Sequence, residues 1–139
     1  MDGRFEMIPI GKVRKTPDRV WMEIDPEYQD AMNGLELYSH IHVLYWFHEN
    51  DTPDQRQILK VHPCKNPVNP LTGVFATHSP MRPNLIGLTL CHVISIDGLR
   101  IRLTDIDARD LTPIIDIKGY FPHDIREPLR YPQWERGQK

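Results

Sequence analysis

Leu88-Thr89-Leu90-Cys91-His92-Val93-Ile94-Ser95-Ile96-Asp97-Gly98-Leu99-Arg100-Ile101-Arg102-Leu103 is the stretch that decides the fold. Leu88, Leu90, His92, Ile94 and Ile96 alternate with Thr89, Cys91, Val93 and Ser95. Asp97-Gly98 then supplies a two-residue turn, after which Leu99, Ile101 and Leu103 alternate with Arg100 and Arg102. Successive strand side chains point to opposite faces, so the pattern predicts a β-hairpin with one buried and one wet face. Outward from it, short β-branched or aromatic runs at 7–13, 20–24, 39–47, 58–61 and 74–77 are bounded by Gly, Pro, Asn or Asp and read as further strands. The 13 prolines are spread along the chain and disfavour long helices. At 25–32, Asp25 before Pro26 predicts the cap and first residue of one short helix that ends near Asn33-Gly34. Many short strands leave exposed edges unless the sheet closes on itself. The expected class is therefore all-β, an antiparallel β-barrel with one or two short helices over 1–122, followed by an extended C-terminal arm at 123–139.

The composition of the 139 residues, 40% hydrophobic and 26% charged, is that of one ordinary domain with a real core. Seventeen Lys+Arg against 19 Asp+Glu give a net charge of -2, which excludes a basic surface dominant enough to announce nucleic acid by itself. Any RNA role must rest on local charge; Arg14, Lys15, Arg19, Arg56, Lys60, Lys65, Arg126 and Arg130 are candidates whose convergence the sequence does not show. No apolar run approaches the ~18 residues of a membrane span, and acidic Asp2 and Glu6 stand where a signal peptide carries a basic and then apolar stretch. The expectation is a cytoplasmic protein without membrane contact. Cys64 and Cys91 form neither a disulfide framework nor a CxxC knuckle, and the glycines contain no GxGxxG.

Three segments carry more chemistry than a bland barrel needs. A strand at 37–49 places aromatic residues on both faces and ends in His48 and Glu49. At 73–87, Pro80 and Pro83 fix the backbone on either side of Arg82, and Asn84 follows, so that a guanidinium and a carboxamide are held for a planar or anionic group. At 105–120, Asp105, Asp107, Asp110 and Asp116 surround Thr112-Pro113; carboxylates of this kind can hold ribose hydroxyls or lie near a cation.

Together the motifs Gly-Val-Phe-Ala-Thr-x-Ser-Pro-x-Arg-Pro-Asn-x-Ile-Gly at 73–87, Asp-x-x-Asp-x-Thr-Pro-x-x-Asp-Ile-Lys-x-Tyr at 107–120 and Gly-Leu-Glu-x-x-Ser-His, closed by Phe-His, at 34–48 resemble the TrmO/TsaA-like family of S-adenosylmethionine-dependent tRNA methyltransferases. The resemblance runs from about Ile10 to Pro122 and is that of the short form without the family's additional C-terminal domain. It implies a homodimeric barrel that binds S-adenosylmethionine and methylates N6 of threonylcarbamoyl-adenosine 37, beside the anticodon, so that the partner is a tRNA anticodon loop. Carried over by position, the cofactor contacts fall at Val13, Arg14, Lys15, His48, Glu49, His78, Leu88, Asp110, Leu111, Thr112 and Pro113. The chain departs from the pattern at His78 for Arg, Met81 for His, Leu85 for Pro, Gly119 for Pro and, most consequentially, Leu111 for Gly. A glycine there allows positive φ or close backbone approach, which leucine excludes or strains.

A sulfonium methyl donor is already activated, so alignment outranks a strong base. An acceptor such as Asp116, or a water, suffices to remove the N6 proton. Asp110 is read as a holder of the ribose, Arg82 as a reader of a carboxylate or phosphate, Asn84 as a reader of a base edge or the carbamoyl group, and Tyr120 as a stacking platform. Two rivals remain. One is a non-catalytic barrel that binds S-adenosylmethionine or RNA. The other is a metal-dependent barrel enzyme, suggested by His40-Ile41-His42, whose motif lacks its later ligands, so no metal is expected.

Overall fold

The computed structural model describes residues 3–122 and 127–134. Arg126 lies outside the described residues, and over 127–134 the expected arm forms neither strand nor helix. Among the described residues eight strands occur in chain order: β1 Gly11–Lys15, β2 Val20–Ile24, β3 His40–Trp46, β4 Lys60–Val61, β5 Thr72–Gly73, β6 Ile86–Asp97, β7 Arg100–Leu103 and β8 Pro113–Gly119. Among the described residues no helix is long and apolar enough to cross a membrane. The chain divides into two compact units, Met1–Phe47 with Ile86–Phe121 and His48–Leu85 with Pro122–Lys139.

The first unit is a closed antiparallel barrel in the order β1-β2-β7-β6-β3-β8. Its interior is filled from every strand, with Val13, Met22, Ile41, Val43, Ile101 and Ile114 all fully buried. Burying a side chain of this kind is worth about 1.5–3 kcal/mol, so the barrel is held mainly by its own lumen. The hairpin is present, but its turn falls one residue later than expected. Asp97 pairs with Arg100, leaving Gly98-Leu99 as the turn, with Gly98 at φ +59°. Only glycine takes that backbone conformation without strain.

The two faces of β6 divide in a way the alternation does not reveal. Gly87 and Cys91 point into the barrel, whereas Leu88, Leu90 and Ile94 point outward and are about half exposed. A register shift between Val93 and Ser95 then reverses the parity, so that Ile96 sits opposite Ile101 and packs on the core. An extra residue in one strand has that effect. The wet face of β6 is thus its more apolar one.

The short helix expected at 25–32 is a 3₁₀ segment, Pro26–Met32. Asp25 precedes it in extended conformation without a side-chain cap; its carbonyl instead accepts the Tyr28 N–H at 3.0 Å. In the second unit, α1 (Pro53–Arg56) is capped by Thr52, whose hydroxyl accepts the Gln55 N–H at 3.2 Å. β4 and β5 form a two-residue ladder. The strand expected at 74–77 is a 3₁₀ turn over Val74–Ala76, because the Thr77 N–H (3.1 Å) and hydroxyl (2.9 Å) both fold back onto the Val74 carbonyl.

Tyr45, buried on β3, ties the barrel to the loop that follows β7. Its hydroxyl donates to the Asp107 carbonyl at 2.6 Å and lies 2.9 Å from the Thr89 hydroxyl. Gly87 lies directly across from it, and a Cβ there would overlap the ring. Because those bonds anchor the phenol, the ring has little room to retreat. Gly87→Ala is therefore expected to lower stability by about 2–3 kcal/mol in urea unfolding; an unchanged midpoint would show that the ring is not fixed.

Candidate functional site

At the open end of β1 the chain meets the corner that precedes β8. The Val13 N–H donates to the Thr112 carbonyl at 2.9 Å, and the Leu111 N–H returns a bond to the Val13 carbonyl at 2.7 Å. One oxygen of Asp110 accepts both the Lys15 N–H at 2.8 Å and the Arg14 Nε–H at 3.1 Å. The Lys15 ammonium donates to the Ile106 carbonyl and stands 3.8 Å from Asp105. Val13, Arg14, Lys15, Asp110, Leu111 and Thr112, with Pro113 opening β8, are thus brought together in one constellation.

The Asp110 carboxyl is held below the usual carboxylate range, chiefly by the Lys15 N–H and then by the Arg14 guanidinium. A lowered folded-state value makes its contribution to stability present above the ordinary carboxylate range and lost as acid protonates it. The side chain is nevertheless exposed, so a charged acceptor with unused lone pairs faces solvent from a fixed position.

Leu111 adopts φ +70°. The conformation that glycine would take freely is therefore kept, and leucine is strained rather than excluded by it. A left-handed L-residue costs about 1–2 kcal/mol, offset here by the Leu111 N–H bond and by the Thr112 N–H bond to the Arg109 carbonyl at 3.2 Å. The Leu111 side chain is exposed and leaves an apolar flank beside Asp110.

A second group lies on the outward side of β6, β3 and β8. In register, Leu88 faces Leu44, which faces Asp116; Leu90 faces His42, which faces Lys118. Asp116 accepts its neighbour Ile117 N–H at 2.9 Å and lies 3.9 Å from the Lys118 ammonium. Tyr120 meets His42 edge-on at 5.3 Å. Leu88, Asp116 and Tyr120 therefore share a face, and Asp116 lies roughly 15–20 Å of chain beyond Asp110 at the ~3.3 Å rise of a strand. His42, considered in the sequence only with His40 as part of a metal motif, belongs to this face. Its Nδ1 is buried without a hydrogen-bond partner, and strand parity with Leu44 was the available signal.

The remaining expected residues lie in the second unit. His48 and Glu49 form a turn, His48–Asn50, after β3, and His78 and Asn84 are exposed. Arg82 is positioned less by its flanking prolines than by its own loop, its Nη1 donating to the Thr77 and Ser79 carbonyls, both at 3.1 Å. No group of three His, Cys, Asp or Glu suited to a metal occurs among the described residues. His40 is instead stacked on His92 at 5.0 Å, and each ring is hydrogen-bonded to a hydroxyl, Ser39 at 2.7 Å and Thr104 at 2.8 Å.

Residues 4–124 match the family of the tRNA-methyltransferase O N-terminal domain. A probable S-adenosyl-L-methionine-binding protein of Pyrococcus horikoshii is 50% identical over 114 residues, covering 82% of this chain and 81% of that protein. A tRNA (adenine(37)-N6)-methyltransferase of Homo sapiens is 39% identical over 76% of this chain but only 24% of its own length. The crystal structure of TrmO from Pseudomonas aeruginosa superposes with a TM-score of 0.70 at 28% identity, covering 93% of this chain and 61% of that one. The chain thus spans about four-fifths of the archaeal relative, three-fifths of the solved TrmO chain and a quarter of the human enzyme.

The left-handed corner predicts that Leu111→Gly raises stability by about 0.5–1 kcal/mol, the released strain exceeding the extra freedom of glycine in the unfolded chain. Leu111→Val should lower it by a similar amount, since a β-branched residue fits positive φ worse. Equal urea midpoints for all three proteins would remove strain from the account.

Proposed function

The chain belongs to the tRNA-methyltransferase O N-terminal domain family, and from that premise we propose that it is an S-adenosylmethionine-dependent tRNA methyltransferase acting on N6 of adenosine 37, with the threonylcarbamoyl-modified base as its substrate. What carries the reading is the corner at Asp110. An exposed carboxylate, fixed by the Lys15 N–H and by Arg14, is a ready acceptor for the paired hydroxyls of a ribose. The exposed Leu111 side chain offers an apolar surface to the rest of a nucleoside. This donor and acceptor set fits S-adenosylmethionine, which when bound supplies an already activated methyl group.

The protein's share is then orientation. Asp110 is immobilised before any ligand arrives, so little ordering entropy is lost on binding. Asp116, on the outward face with Tyr120, takes up the N6 proton late in the transfer, and Tyr120 stacks on the base. The outward apolar side of β6, with Ile86, Leu88 and Leu90 all exposed, is the contact through which two copies associate. Light scattering that finds only a 16.3 kDa species at high protein concentration would rule that contact out.

The decisive experiment incubates the protein with tRNA and isotopically labelled S-adenosylmethionine and reads the anticodon-loop nucleosides by mass spectrometry. The expected product is one methyl group on N6 of the modified adenosine. Asp110→Ala should weaken cofactor binding by about tenfold or more, the effect of losing a charged acceptor. Asp116→Asn should slow single-turnover transfer while cofactor affinity holds; an unchanged rate assigns the proton to water. Cofactor binding without transfer identifies a non-catalytic barrel, and absence of binding overturns the reading.

A further inference from the structure

The outward side of β1, β2 and β7 carries a cationic ladder that none of the groups above uses as a whole. In register, Lys12 faces Glu23, which faces Arg100, and Arg14 faces Trp21, which faces Arg102. The Trp21 ring lies between two guanidinium groups, Arg14 at 5.8 Å and Arg100 at 5.2 Å from its centroid. Its indole N–H donates to Glu23 at 3.1 Å, and Glu23 in turn lies 3.7 Å from Arg100 and 4.0 Å from Lys12. Cation–π stacking and the shared carboxylate hold these side chains in place.

Arg102 and Arg19 differ from the rest. Both are exposed, and neither side chain has an ion pair or hydrogen bond among the described residues. Together with the Thr16 and Thr104 side chains they line a hollow of about 240 Å³ beside the turn between β1 and β2. Asp18 is the sole carboxylate in that lining. Two unpartnered guanidinium forks and two hydroxyls around one recess match a phosphate group in geometry and charge. A chain of net charge -2 attracts a polyanion only where its cations are gathered.

We propose that this face docks the sugar-phosphate backbone of the tRNA, with Arg19 and Arg102 clamping a phosphate in the hollow and the Arg14–Trp21–Arg100 stack flanking it. The inference rests on the tRNA reading above. Pro17, Val20, Ile94 and Leu103 share the lining with these polar groups, but an acidic protein is the weaker fit, because a recess of about 240 Å³ seats one anionic group whereas a stable protein interface buries about 800 Å² on each partner.

The test titrates tRNA against the wild type, Arg19→Ala/Arg102→Ala and Arg19→Lys/Arg102→Lys at several salt concentrations, with S-adenosylmethionine calorimetry on the same preparations. The alanine pair should bind tRNA about tenfold or more weakly, with a slope of log affinity against log salt shallower by about one, for the single phosphate contact that is lost. The lysine pair should recover the slope and part of the affinity, since charge returns without the fork. Cofactor affinity should be unchanged in both, which also certifies the fold. Wild-type affinity and slope in the alanine pair overturn the proposal, as does displacement of tRNA by polyglutamate at equal charge. If the wild type binds tRNA with this signature but transfers no methyl group, the functional reading fails and the docking face stands. If it transfers methyl while the alanine pair binds normally, the docking face alone fails.

Discussion

Closure of the barrel runs through one short seam. β1 and β8 share only two ladder positions, Gly11 with Ile114 and Lys12 with Pro113, and proline has no N–H to give. The seam is lengthened on either side by bonds that belong to no regular ladder. The Ile10 N–H reaches the Ile114 carbonyl at 2.8 Å, Val13 exchanges bonds with Thr112 and Leu111, and Lys15 donates to Asp110. A sheet that failed to join here would expose two strand edges and open a lumen filled with valine, isoleucine and methionine. The bonds that complete the barrel are therefore the same bonds that fix the candidate site.

That coincidence explains why a strained residue persists. Leu111 can occupy the left-handed region only because its N–H is committed to β1 and the next residue is buried in the wall. Local strain survives where the surroundings over-determine it. Asp110, one residue earlier, inherits the rigidity without being buried, so its charge remains available to a ligand. Stability and the candidate site draw here on one set of contacts.

Much of the fold could be read from the chain because the decisive patterns are local. The alternation at 88–103, the runs at 20–24 and 39–47, and Pro26 after Asp25 each settle the shape of a few neighbouring residues. What stayed hidden depends on partners distant in sequence. Leu88 and Leu90 look like core residues, yet Gly87 must face Tyr45 inward, and the register shift before Ser95 reverses the parity afterwards. Apolar side chains on both faces of β6 gave no local sign of which face would be wet. The corner at Asp110 was singled out through its motif, and the family's glycine raised positive φ only as one of two possibilities that leucine would exclude or strain; the backbone kept it. His42 had been weighed only as a metal ligand beside His40, because its place between Leu90 and Lys118 depends on partners distant in sequence.

The cations show the same limit most clearly. Arg14 and Arg19 were candidates on the sequence, whereas Lys12, Arg100 and Arg102 were not, because the last two read simply as the polar half of an amphipathic strand. Placing β7 beside β2 makes that polar half continuous with the polar half of β1. Glu23 lies at the centre of this surface and is shared between Lys12 and Arg100, so one carboxylate offsets two cations and leaves the row positive. A chain with net charge -2 thereby carries a positive face whose existence depends on strand order rather than on composition. Since barrel order is fixed by closure, the seam between β1 and β8 sets the electrostatics of this face as well as the geometry of the Asp110 corner.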